Sequence, residues 1–220
     1  MTTINNLLNK LSNLSRTNRD KGTQFERLMA QYLKTDPQYA DRLSDVWLWS
    51  DWPDHEGSDV GIDLVACEKD TGEYWAIQCK YFDPRHSLQK SDIDSFFTAS
   101  GKSFKTSDGK KHCFSQRVII STTDKWGKNA EAALIDQTIP VTRIWFKDLE
   151  NSPIDWEKLE LSKIKDLHRR PQKNLQDHQS EAISNVLNSL KEQDRGKLIM
   201  ACGTGKTFTS LRLMEQMVPR

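Results

Sequence analysis

Two short runs of alternating apolar and polar residues, Val60–Glu68 and Glu73–Tyr81, are joined by Lys69-Asp70-Thr71-Gly72. The runs are rich in Val, Ile, Leu, Ala, Trp and Tyr, and the connection holds turn-forming Asp and Gly, so together they predict a β-hairpin. Side chains two apart share a strand face. Gln78 and Lys80 therefore point one way, and Trp75, Ile77 and Cys79 point the other, into a core. On the first strand Ile62, Leu64 and Ala66 alternate with Gly61, Asp63 and Val65. A hairpin centred between Asp70 and Thr71 sets Asp63 opposite Gln78, with Cβ atoms about 4.5–5.5 Å apart. A centre one residue later would break that arrangement.

The rest of the chain reads as alternating helices and strands. Ile4, Leu7, Leu8, Leu11 and Leu14 fall at helical spacing and predict an amphipathic helix within residues 1–19, laid on the domain. Ser15–Lys21 is polar and reads as a connection. A helix follows over Gly22–Lys34, with Phe25, Leu28, Met29 and Leu33 inward and Pro37 beyond its end. Val46–Trp49 predicts the first strand. Asp51–Ser58 is a turn-rich loop whose Asp54, His55 and Glu56 are either a second metal or DNA contact or a solvated loop. After the hairpin come a loop over Asp83–Gln89 and a helix N-capped by Ser91 that carries Ile93, Phe96 and Phe97. Gln116–Ser121 predicts a buried strand, Gly127–Asp136 a helix, and Val141–Phe146 a last strand. This order predicts an α/β fold, a mixed central sheet flanked by helices on both faces. Residues 151–174, with Pro153, Pro171 and the basic Lys163, Lys165, His168, Arg169 and Arg170, read as a linker between a 1–150 domain and a 175–220 segment.

Composition narrows this picture little. Net charge is +1, which neither selects nor excludes nucleic acid, because a basic groove can be offset elsewhere. Lys90, Lys102, Lys105, Lys110 and Lys111 could follow a phosphate backbone, and Ser121, Thr122 and Thr123 close a strand where polar groups often meet phosphate. The four cysteines lack CxxC spacing, which disfavours a zinc site or disulfide framework and suits a reducing, cytoplasmic setting. No signal or membrane-spanning run is visible.

The hairpin gathers an acid, an amide and an amine beside apolar strand residues, which is costly unless they are satisfied. A hard divalent cation would satisfy Asp63 and the Gln78 carbonyl oxygen, with the Cys79 backbone carbonyl as a third ligand. Lys80 would then face water or a scissile phosphate. The bland alternative is an Asp–Lys ion pair on a solvated sheet.

HEGSDVGIDLVA followed by WAIQCKYF resembles the Mrr-like branch of the PD-(D/E)xK nucleases, with Gln78 in place of the usual acid. Lys21-Gly22-Thr23-Gln24-Phe25-Glu26 is similar to that branch's KGxxFE helix. The resemblance implies a restriction-endonuclease-like fold, Mg²⁺ or Mn²⁺ as cofactor, and double-stranded DNA as partner. It favours Asp63 over Asp59 as the catalytic carboxylate. It also implies that Glu26 joins Asp63, Gln78 and Lys80 as a catalytic residue, completing the metal site through water. Double-strand cleavage would then need dimerisation or the collision of two enzymes.

Lys197–Met200 predicts a strand, Ala201-Cys202-Gly203-Thr204-Gly205-Lys206-Thr207 a glycine-rich loop, and the residues through Leu211 and Met214 a helix. That is the context of a P-loop, in which backbone N–H groups curl round a phosphate, Lys206 reaches the β/γ-phosphates and Thr207 ligates Mg²⁺. The sequence MACGTGKT resembles motif I of restriction-enzyme helicases. Leu175–Ile183 resembles the adenine-reading Q motif of superfamily 2 helicases, with Gln179 as the reader. Residues 175–220 would thus be the truncated start of a RecA-like motor. The layout resembles the type ISP restriction-modification enzymes, in which ATP drives the complete parent protein. Three functions compete: a metal-dependent DNA endonuclease, a non-cleaving DNA-binding or regulatory module with a degenerate site, and an ATP-binding part. A repair nuclease-helicase fragment is a variant of the first.

Overall fold

The computed structural model describes residues 3–55, 57, 61–171 and 173–217, which divide into two compact units, 1–170 and 171–220. In the first unit, α1 (Thr3–Leu14), α2 (Asn18–Thr35) and α3 (Pro37–Ala40) lead into β1 (Leu43–Leu48), β2 (Leu64–Glu68) and β3 (Tyr74–Lys80). Then come α4 (Asp94–Ser100), the short β4 (Phe104–Lys105) and β5 (Lys111–His112), β6 (Phe114–Ser121), α5 (Lys128–Ala132), β7 (Val141–Ile144) and α6 (Phe146–Asn151). The main sheet has the order β1-β2-β3-β6-β7. β2 runs antiparallel to both of its neighbours, β1 and β3, while β3, β6 and β7 run parallel. The expected mixed sheet between helices is therefore present.

Both faces of the sheet are covered, so its central strands are apolar on both sides. Leu64, Ala66, Trp75, Ile77, Cys79, Val118 and Ile120 meet Ile4, Leu7, Leu8 and Leu11 of α1 and Phe25, Leu28 and Met29 of α2. Val65, Ala76 and Ile119 meet Trp52, Ile93, Phe96 and Phe114 on the other face. α1 is amphipathic as expected, except that Leu14 at its end is exposed.

Several boundaries move, each for a local reason. α2 starts at Asn18, because the Thr17 hydroxyl caps it by accepting from Asp20 N–H, while the Asp20 carboxylate accepts from Arg16 N–H. Glu26 therefore lies two turns into the helix, not one. Ser91 is not a cap: Gln89 and Asp92 form a reciprocal capping box on a 3₁₀ turn before α4. The lysine-rich 101–111 loop folds into the β4–β5 hairpin, whose Phe104 packs edge-on against Trp52 at 4.9 Å.

The largest departure is at 151–170. Expected as a linker, this stretch buries Ile154, Trp156, Leu159 and Leu167 in the core shared with α1 and α2. Trp156 stacks on Tyr32 with ring centroids 6.0 Å apart. Ile154 bridges Arg169, and the Arg169 guanidinium donates to Thr35 O at 2.6 Å.

The second unit holds α7 (Asp177–Ser189) and α8 (Lys206–Met217). Lys197–Met200 is not a strand here, since no other strand in this unit pairs with it among the described residues.

Candidate active site

The hairpin register is the expected one. Leu64, Val65, Ala66 and Cys67 face Ile77, Ala76, Trp75 and Tyr74. It breaks just where the acid sits. Asp63 N–H donates to Ile77 O at 3.0 Å, although Ile77 is already the register partner of Leu64. Two residues on one strand thus meet one on the other, which is the geometry of a β-bulge. Asp63 is not set directly opposite Gln78 as expected, and Ile62 joins the cluster of Val65 and Ala76 rather than that of Leu64 and Ala66. Gly61 contributes to the break with φ +94, a left-handed conformation that suits only glycine well.

The bulge puts the carboxylate to use. Asp63 Oδ2 accepts from Cys79 N–H at 2.6 Å, the short length of a charge-assisted bond. In an unbroken ladder that N–H would meet a backbone carbonyl from the first strand. The side chain takes the carbonyl's place, and so lies against β3 between Gln78 and Lys80. On its other side Asp63 O accepts from Trp49 N–H at 2.8 Å, so the bulge stays stitched to the chain leaving β1.

Gln78 and Lys80 alternate with Cys79 and share a face, as expected. Gln78 is 2% exposed. Its Nε2 donates to Gly61 O at 3.1 Å, and its Oε1 has no hydrogen-bond partner. The Gly61 carbonyl can only accept, so the amide nitrogen must face it and the oxygen must face away. Lys80 is half-buried. Its backbone carbonyl accepts from Thr122 N–H at 3.1 Å, tying the end of β3 to β6.

α2 packs on the Cys79 face of β3. Lys21 Nζ lies 4.7 Å from the Tyr81 ring centroid, Phe25 meets Tyr81 edge-on at 5.6 Å, and Glu26 is half-buried on the same turns. The Cys79 thiol is pushed well up, first by burial and then by the anions Asp63 and Glu26, with Lys80 opposing them. Three charged residues expected to share a site therefore act on one buried sulfur, and the fourth, Gln78, is its chain neighbour.

Other expected contacts fall elsewhere. Asp59, the competing carboxylate, and Glu56 lie outside the described residues. Asp54 accepts from Ser107 N–H at 2.6 Å, and His55 Nδ1 lies 2.8 Å from Trp52 O. Ser121, Thr122 and Thr123 are buried and do not meet solvent, as phosphate contacts would have to. The Thr122 hydroxyl clasps both N–H and C=O of Phe82, and Thr123 Oγ1 donates to His86 O. All five lysines are exposed; Lys90 and Lys110 pair with Asp94 and Asp108, and Lys102, Lys105 and Lys111 have no ion pair among the described residues. The sequence reading missed Gly61 and Thr122 as supports. A glycine two residues before the acid was the visible signal for the first; the second had none.

In the second unit Gly203 and Gly205 both adopt φ +81, and α8 opens at Lys206 as the loop pattern predicts. Lys206 Nζ donates to Met200 O at 3.1 Å. The Gln179 amide accepts from Gln176 N–H at 3.0 Å and donates to Thr204 O at 2.9 Å, so it holds the loop.

No group of three or more His, Cys, Asp or Glu able to hold a metal occurs among the described residues. The set expected at the hairpin differs in kind, with one carboxylate, one amide oxygen and a backbone carbonyl. The unpartnered, buried Gln78 oxygen fits a cation, since an isolated acceptor there otherwise costs about 1–3 kcal/mol.

Residues 34–166 match the family described as Restriction endonuclease, and residues 172–220 match the Type III restriction enzyme, res subunit. The chain belongs to the restriction endonuclease family. It is similar, at 37% identity and a TM-score of 0.76 over 96% of its length, to the ATP-dependent Type ISP restriction-modification enzyme LlaBIII bound to DNA. It spans only 13% of that chain. It is also similar to the MspJI restriction endonuclease in complex with a 27-mer oligonucleotide, at 16% identity over 64% of this chain and 29% of that one. The TM-score of that match is 0.41. No curated protein matches. Both expected resemblances, to a nuclease domain and to the start of a helicase, are borne out. No helix among the described residues is long and apolar enough to cross a membrane.

Proposed function

We propose that the first unit is a divalent-metal-dependent DNA endonuclease domain that hydrolyses phosphodiester bonds. The observation that carries this is the buried Gln78 oxygen, left unpartnered beside a carboxylate that is pinned to the next backbone N–H of the same strand. Asp63 and Gln78 would hold the ion, with the Cys79 backbone carbonyl as a further oxygen. Bound Mg²⁺ or Mn²⁺ would supply Lewis-acid polarisation of the phosphate and an acidified water. With a neutral amide where an acid is usual, the donor set carries one negative charge fewer.

The chain's own groups divide the remaining work. The Cys79 N–H fixes the Asp63 carboxylate against rotation. The Lys80 ammonium offsets negative charge developing on the phosphate and is stiffened by the tie from its carbonyl to Thr122. Glu26 on α2 accepts hydrogen bonds from water at that end of β3 and orients it. The exposed Lys102, Lys105 and Lys111 would add backbone contacts to double-stranded DNA. By likeness to LlaBIII, residues 175–220 would open an ATP-driven motor, with Gly203, Thr204, Gly205, Lys206 and Thr207 cradling phosphates and Thr207 reaching Mg²⁺.

The test is nicking of supercoiled plasmid by the full chain in Mg²⁺ or Mn²⁺. Asp63→Ala would abolish cleavage but also strand the Cys79 N–H, so Asp63→Asn is the sharper variant. Its amide oxygen can still accept from Cys79 while the charge is gone. Nicking should fall by about 10²-fold or more with the melting curve kept. Unchanged nicking by Asp63→Asn in metal-replete buffer would refute the assignment.

A further inference from the structure

We propose that the Gly61 carbonyl is a positioning group that makes glutamine the required residue at 78. Gln78 is then not a weakened acid. This inference rests on the metal-dependent reading above and deepens it. Gln78 Nε2 donates to Gly61 O at 3.1 Å, and that bond decides which amide atom is left facing away. The atom so presented is the unpartnered Oε1, in a side chain 2% exposed. A glutamate could not make this arrangement. It has no donor for the Gly61 carbonyl, so an anionic oxygen would meet a carbonyl oxygen where the amide now bonds. The carboxylate would have to swing away, leaving two acceptors without donors in a buried site.

Gly61 itself is held in place from outside the hairpin. Its φ of +94 favours glycine, and a Cβ there would stand 2.8 Å from Ser95 Oγ, 3.1 Å from Ser95 Cβ and 3.2 Å from Phe96 N. The serine hydroxyl could turn aside, but the Phe96 nitrogen belongs to the backbone of α4 and cannot. The order of control runs from α4 to the Gly61 carbonyl to the Gln78 amide. Any side chain at 61 would push the carbonyl off the amide while leaving the hairpin register, which starts at Leu64, untouched.

Mn²⁺ binding to the full chain, followed by calorimetry and by the paramagnetic signal of free Mn²⁺, tests this without reference to turnover. Wild type should bind. Gln78→Glu should bind at least about tenfold more weakly despite its added negative charge, the size of loss seen when a supporting contact of a metal site fails. Gly61→Ala should show a similar loss. A melting curve identifies any variant that has unfolded, and Gln78→Glu, which keeps the backbone, then decides alone. Equal or tighter Mn²⁺ binding by Gln78→Glu would overturn the Gly61–Gln78 proposal while leaving the nuclease reading intact. Absence of Mn²⁺ binding and of nicking in wild type would overturn both.

Discussion

Replacing Trp156 by alanine asks whether 151–170 is core or connector. The indole is 5% exposed, stacked on Tyr32, and donates from Nε1 to Leu149 O at 2.9 Å. The Leu149 carbonyl keeps a second donor, the Ser152 hydroxyl at 2.7 Å, so losing the indole bond costs only about 1 kcal/mol. The cavity is the larger effect, because a buried Trp→Ala change costs about 3–5 kcal/mol. In a unit of this size each kcal/mol lowers Tm by roughly 2–4 °C, so a fall of about 10–15 °C is expected. Far-UV circular dichroism over a urea series and a thermal ramp reads both quantities on the full chain. Lys158→Ala, two residues on, removes an exposed ammonium paired with Asp155 at 3.0 Å; it serves as the control and should cost no more than about 1 kcal/mol. If Trp156→Ala behaved like that control, the segment would be a tether and the packing argument would be wrong.

Thr122→Val should destabilise by about 3 kcal/mol in urea unfolding. It removes the one hydroxyl that serves both backbone groups of Phe82, and a shift under 1 kcal/mol would sink that account. The Tyr39 phenol, pushed up to about 12 by burial and then by the Asp36 carboxylate, should stay protonated at pH 11. Its folded-state value is raised above the ordinary 10, so its contribution to stability is complete below pH 10 and is lost as pH climbs through 12. Absorbance at high pH should show this phenol ionising late, and the urea midpoint should fall only above pH 10. A phenol titrating at its ordinary value would contradict the burial described.

The hairpin was legible because its turn residues and apolar alternation set the register together. The bulge was not, because alternation assumes a regular ladder and nothing in Gly61-Ile62-Asp63 announces which side chain will replace a carbonyl. α2's true start was written in Thr17 and Asp20, a capping pair hidden by the polar residues around it. The 151–170 stretch misled because Ile154, Trp156, Leu159 and Leu167 follow neither a helical nor a strand period. They are anchors set singly among prolines and cations, and only the surface they cover reveals them. Ser121–Thr123 misled in the opposite way: hydroxyls at a strand end suggested a ligand, and the loop over Phe82–His86 is what they hold. Lys197–Met200 misled as well: its apolar run suggested a strand, but a strand forms only where a neighbour offers a ladder.

The bulge also separates chemistry from folding in an unusual way. Every paired residue from Leu64 onward keeps its partner without reference to what precedes it. Loss of a single codon between Gly61 and Asp63 would therefore leave the sheet assembled and pull the acid away from Cys79. On the metal-dependent reading proposed above, that one small genetic step would disarm the site while leaving the paired strands their partners.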